Sequence, residues 1–139
     1  MDLLKRTTNP KPPDCTSPQM ACKQPIPGVT HDDVERIVYR DFPAEEFASV
    51  MTILNEYGTD KWHREPARVR LAALKVADGS MPRLRTCMEL AKRDYRDALV
   101  AAEYPAYGKI RFQVRRLPED EQRRIIDSDW QQYDSWLRR

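Results

Sequence analysis

Glycine, histidine and cysteine are scarce in this chain of 139 residues, and each scarcity excludes a class of chemistry. The four glycines are isolated near turns and helix ends, so no glycine-rich phosphate-binding loop is present. There are two histidines, His31 and His63, and neither falls into a recognised zinc-ligand spacing. The three cysteines, Cys15, Cys22 and Cys87, are an odd number with no disulfide framework. No apolar run approaches the ~18 residues that a membrane span requires. Residues 1–6 hold only Leu3 and Leu4 as an apolar pair, which is no export signal. The expectation is a cytoplasmic, reduced protein that uses no cofactor and no metal.

What is present is proline, charge and helical periodicity. Six of the eleven prolines (Pro10, Pro12, Pro13, Pro18, Pro25 and Pro27) precede position 28. Proline removes backbone donors, and this stretch offers little apolar patterning to offset the entropy of ordering. Residues 1–29 therefore read as a disordered proline-rich tail, and residues 30–139 as one all-helical domain.

Within that domain the helix signals are explicit. Thr30 precedes Asp32 and Asp33 as a cap followed by acids, and Val34, Ile37 and Val38 share a face. A second helix is expected over 43–57, with Phe47, Val50, Met51, Leu54 and Tyr57 at three- and four-residue spacing and Gly58 closing it. Residues 58–65 read as a loop. Pro66 opens a third helix ending at Gly79, and Ser80 and Pro82 start a fourth that runs unbroken to Tyr104. So short a linker predicts an antiparallel helical hairpin, 66–78 against 82–104. Residues 106–117 alternate like a strand but also fit a helical face; without a partner strand, helical or irregular structure is favoured. The last helix opens at Pro118 with three acids and carries Ile126, Trp130, Tyr133 and Leu137 on its core stripe, leaving Trp136 peripheral. The predicted fold is all-α: five to six helices around a central antiparallel hairpin, with the terminal helix packed across it.

Tyr57-Gly58, the run from Trp62 to Pro66, the helix from Arg68 to Lys75 and the closing Asp129-Trp130-Gln131-Gln132-Tyr133 resemble small bacterial all-helical proteins of unknown function. The resemblance covers most of residues 43–139. It implies a helical fold and no particular activity.

Net charge is only +2, but it is unevenly spread. Residues 31–60 carry eight acids and two bases, whereas residues 61–116 carry fourteen bases and six acids. Acidic and basic helices that pack side by side would cancel; a basic face left open would bind an acidic partner or phosphates. The candidate interaction surface is the basic hairpin face, Arg64, Arg68, Arg83, Arg93 and Arg96, with Trp62 and Trp136 at its edges. Lys109, Arg111, Arg115 and Arg116 would extend it toward a nucleic acid or other polyanion. That reading is less favoured, because no aromatics interleave with the basic residues as a stacking platform needs. An acid–histidine–acid group, Asp60, His63 and Glu65, is the one arrangement that suggests proton transfer, and it is outweighed by a structural role in the loop. Cys87 lies on an apolar stripe and reads as a buried, inert thiol. The leading expectation is a non-enzymatic interaction module that holds an unidentified protein partner or a second copy of itself.

Overall fold

The computed structural model describes residues 25–61, 63–110, 113 and 116–139. Residues 1–24, which make up most of the expected tail, lie outside that set, as do Trp62, Arg111, Phe112, Val114 and Arg115. The described residues form seven α-helices: α1 (His31–Asp41), α2 (Phe47–Leu54), α3 (Pro66–Ala77), α4 (Met81–Arg93), α5 (Tyr95–Glu103), α6 (Pro105–Lys109) and α7 (Glu119–Arg138). Among them no helix is long and apolar enough to cross a membrane.

Helix α3 is the centre. Val69, Leu71, Ala72, Ala73, Leu74 and Ala77 are all buried, and at 100° per residue they point in every direction. A helix with buried apolar residues on every side must be surrounded. Helices α1, α4 and α5 pack against it, with α2 against α1 and α4, and α6 and α7 closing over α5. The hairpin turn is tight: Asp78 (φ 51°) and Gly79 (φ 80°) are both left-handed, and Ser80 caps α4 by accepting from the Arg83 N–H at 3.4 Å. Thr30 starts α1 as expected, its N–H donating to Asp33 Oδ2 at 3.0 Å.

Several expectations are revised. The helix expected to run unbroken over 82–104 divides at Asp94, which is extended (φ −154°) and ends α4 while starting α5. Its carboxylate accepts from the Arg96 N–H at 3.0 Å and from the Arg96 guanidinium, so one side chain makes a break that periodicity alone does not reveal. The helix expected from Pro43 begins as a 3-10 turn, Ala44–Glu46, and is α-helical only from Phe47. Of the ambiguous stretch 106–117, residues 106–109 belong to the short α6, while Arg111, Phe112, Val114 and Arg115 lie outside the described residues. Helix α7 makes its main contacts with α5 and α6. Residues 25–29, assigned to the tail, lie against the domain: Pro25 and Pro27 are buried, and the Tyr104 hydroxyl donates to the Pro25 carbonyl.

The junction between α5 and α6 is tied down by α7. Asp129, only 3% exposed, accepts from the Ala106 N–H at 3.1 Å and the Tyr107 N–H at 2.9 Å, supplying the cap that α6 lacks locally. Gln132 donates to the Ala102 and Glu103 carbonyls at 3.1 and 3.3 Å, closing the end of α5. Replacing Asp129 by Ala leaves two part-buried N–H groups without acceptors and should cost about 1–3 kcal/mol. Urea unfolding measures it; a loss under a few tenths would show that the cap is dispensable.

Candidate interaction surface

Of the residues assigned to a basic recognition face, some stand on the surface and others hold the interior together. Arg68 turns inward. Its Nε and Nη2 donate to the two oxygens of Glu103 at 2.8 and 2.7 Å, and its Nη1 donates to Glu65 at 2.8 Å. Glu103 is 2% exposed, so this is a bidentate ion pair inside the fold. Burial pushes the Glu103 carboxyl up from its usual range while the guanidinium beside it opposes that rise. Arg68 stays firmly charged, because its two carboxylate partners outweigh its own desolvation. The pair forms one wall of a shallow cleft of about 160 Å³ lined also by Arg96, Leu99, Val100 and Tyr104.

Trp136 is likewise interior. It is 8% exposed, tilted against Tyr133 with ring centres 5.6 Å apart, and covered by Arg40, whose guanidinium carbon lies 5.3 Å from the ring centre. The Arg40 Nη1 also donates to the Trp136 carbonyl at 2.6 Å, capping α7. The expected peripheral position and the expected core position are exchanged: Trp136 is buried and Trp130 is half-buried. The two residues are six apart, about 240° round the helix, and Arg40 of α1 covers the side on which Trp136 falls. Trp136 cannot anchor a partner without displacing Arg40.

His63 organises its loop. Its Nδ1 accepts from the Gly58 N–H at 2.8 Å and the Asp60 N–H at 3.2 Å, and its ring stacks on Tyr57 at 4.2 Å. The Tyr57 hydroxyl then donates to the Arg64 carbonyl and accepts from the Arg64 N–H. With Nδ1 committed to two backbone donors, only Nε2 faces Asp60, at 3.7 Å. Gly58 (φ 112°) is required there, since an added Cβ would lie 2.6 Å from Nη2 of Arg70. That arginine donates to the Leu54 and Tyr57 carbonyls and closes α2. Among the described residues no group of three or more His, Cys, Asp or Glu is placed to hold a metal ion. Cys87 is a buried free thiol that burial pushes above its ordinary pKa.

What remains outward is α4. Leu84, Cys87, Met88 and Ala91 face the core, so Pro82, Arg85, Thr86, Glu89 and Arg93 line the opposite face with Arg83 on its flank. Arg83, Arg85 and Arg93 are exposed, and their side chains have no ion-pair partner among the described residues. Arg96 is exposed but paired with Asp94 at 3.0 Å, across the break. Arg64, Lys109 and Arg116 are exposed elsewhere; Arg111 and Arg115, expected to join them, and Trp62 lie outside the described residues. The acidic and basic segments meet at Lys92, which bridges Glu56 of the first and Glu89 of its own helix at 3.0 and 2.9 Å.

Sequence reasoning singled out neither Arg85 on this face nor Tyr39, which lies apart from it on α1. Arg85 lies four before Glu89 and eight before Arg93, which the helical period places on one face. Tyr39 is 61% exposed and stacked on Phe47, centres 4.2 Å apart and planes 14° from parallel. Tyr39 sits opposite Val34, Ile37 and Val38 on the α1 wheel, so its exposure was readable from spacing.

Comparison of the chain with protein-family models, with curated proteins and with solved structures finds no match.

Two stability experiments follow from the interior. Glu103→Gln should cost about 3 kcal/mol, the low end for breaking a buried pair, because Arg68 keeps Glu65. Arg68→Met combined with Glu103→Leu should recover most of that loss; a double variant no better than Glu103→Gln would assign the pair a larger net contribution. Separately, burial raises the phenols of Tyr57, Tyr104 and Tyr133 above their ordinary value. The fold favours their neutral form, so stability is complete below about pH 10 and falls as pH rises beyond it. Part of the tyrosinate absorbance should therefore appear only as helical circular dichroism is lost at alkaline pH; complete tyrosinate formation with the helices intact would refute this.

Proposed function

We propose that this chain is a non-catalytic helical interaction module whose recognition surface is the outward face of α4. One observation carries the reading. Arg40, Arg68, Arg70, Arg96, Arg124 and Arg138 are each tied to a carboxylate or a carbonyl, whereas Arg83, Arg85 and Arg93 stand exposed together on one helix with no ion pair among the described residues, Arg93 acting on Glu89 only through its field; Arg64 and Arg116 are exposed too, but apart from that row. Guanidinium groups in that state are poised for carboxylates, since their planar fork matches that geometry and they shed water more readily than an ammonium. The partner therefore has an acidic surface, and a second copy of the chain qualifies through residues 31–60. The interior histidine, thiol and carboxylate have structural assignments that account for their positions: loop scaffold, core filler and ion pair. The residues first grouped as a face are in this reading divided between Arg83 and Arg93, which recognise, and Arg68 and Trp136, which support.

A polyanion would meet the same three arginines, joined by Lys109 and Arg116. Capture from an extract of the native host separates the two. The full chain should retain a protein after nuclease treatment, release it as salt screens the contacts, and lose it when Arg83, Arg85 and Arg93 are all changed to Glu. Material released by nuclease would assign the face to nucleic acid. Identical capture by wild type and triple variant would remove the α4 face from any role.

A further inference from the structure

We infer that the acidic partner of α4 is a second copy of this chain, bound at the corner where the Tyr39–Phe47 stack lies. The inference rests on reading α4 as a recognition face and names what that face holds.

The corner has the composition that a guanidinium row seeks. Tyr39 stacks on Phe47 yet stays largely exposed, leaving ring surface open to a cation. Carboxylates surround it. Asp32 and Glu35 stand seven and four residues before Tyr39 on the same outward face of α1, and Glu45 and Glu46 form the 3-10 turn immediately before Phe47. Asp32 and Glu45 are exposed, and the Glu35 side chain is 45% exposed beside His31. The lone base on this face, Arg36, is occupied by Asp33 at 3.4 Å. Aromatic faces and carboxylates together are the surroundings in which arginine, rather than lysine, is the preferred cation.

The two surfaces complement each other but do not meet within one molecule. Tyr39 lies on α1, whose inner face rests on α3, whereas Arg85 and Arg93 point away from the core on α4. Arg83, Arg85 and Arg93 have no ion-pair partner among the described residues of their own chain. Two copies related by a two-fold axis satisfy both surfaces at once, each giving its α4 face and receiving the other's. The exposed arginines of α4 and the exposed carboxylates of the corner then supply the attraction that orients the pair.

Sedimentation velocity of the full chain over a range of concentration and salt tests this. Wild type should move toward dimer as concentration rises and back to monomer as salt rises. Arg85→Glu with Arg93→Glu, and separately Glu35→Lys with Glu45→Lys, should each weaken dimerisation by about tenfold or more. An equimolar mixture of those two variants should regain it, because the exchanged charges match again. Tyr39→Ala should weaken dimerisation without altering helix content by circular dichroism. All substituted side chains are at least partly exposed, so folding is not at risk, and recovery in the mixture excludes simple misfolding. Wild type that stays monomeric throughout, or a dimer that both charge variants leave unchanged, overturns the inference. If the triple Glu variant still loses its captured acidic protein in that event, α4 remains a recognition face for another partner.

Discussion

Every helix end in a chain broken this often carries backbone groups that nothing within the helix can satisfy, and the whole arrangement answers to that constraint. Seven helices in about a hundred residues mean many such ends, several of them covered by neighbours. Local caps serve the starts of α1, α4 and α5, through Thr30 with Asp33, Ser80 and Asp94. Four further ends are closed from a distance: by Arg70 for α2, Gln132 for α5, Asp129 for α6 and Arg40 for α7. Each distant cap also fixes how two elements sit against each other, because a hydrogen bond to a particular carbonyl tolerates little sliding. The polar residues of the interior thus set the geometry that the apolar core alone would leave loosely defined.

The same constraint explains how the basic segment divides. Arginine offers five donors on a planar fork, enough to close a helix end or grip a carboxylate from both sides. Arg68 and Arg70 are used in that way, as is Arg40 of the acidic segment, and their aliphatic stems fill space between helices. With Arg68 and Arg70 set aside, the exposed bases include a compact row on α4, with Arg64, Lys109 and Arg116 apart from it, and the exposed acids include a compact corner on α1 and the 3-10 turn. Composition overstates the positive surface and misplaces it; geometry leaves fewer arginines, more closely grouped.

How much was legible follows from which interactions are local. The all-helical fold, the caps at Thr30 and Ser80, the tight turn at 78–80 and the buried Cys87 are encoded within a few residues of where they act, so spacing and residue type revealed them. The break at Asp94 was local too, but an aspartate reads as an ordinary exposed helix residue until its backbone is known to be extended. The inward turn of Arg68 was not legible, because Glu103 lies 35 positions away and its burial depends on how α5 meets α3. The exchange between Trp130 and Trp136 has the same origin: a helical stripe names two or three candidate faces, and the neighbour that arrives selects one. For the candidate surface, Arg83 and Arg93 were found and Arg85 could have been, whereas the acidic aromatic corner depends on Tyr39 meeting Phe47 across a turn.

The caps supplied by α7 also impose an order of events. Synthesis proceeds from the N-terminus, and the chain through Lys109 exists before Asp129 and Gln132 do. Until α7 has formed, the backbone around Tyr104 lacks the side chains that cap it in the fold, and Arg40, already paired with Asp41, lacks the Trp136 carbonyl contributed 96 residues later. Docking of α7 brings an acceptor, a donor and a carbonyl to three separate sites.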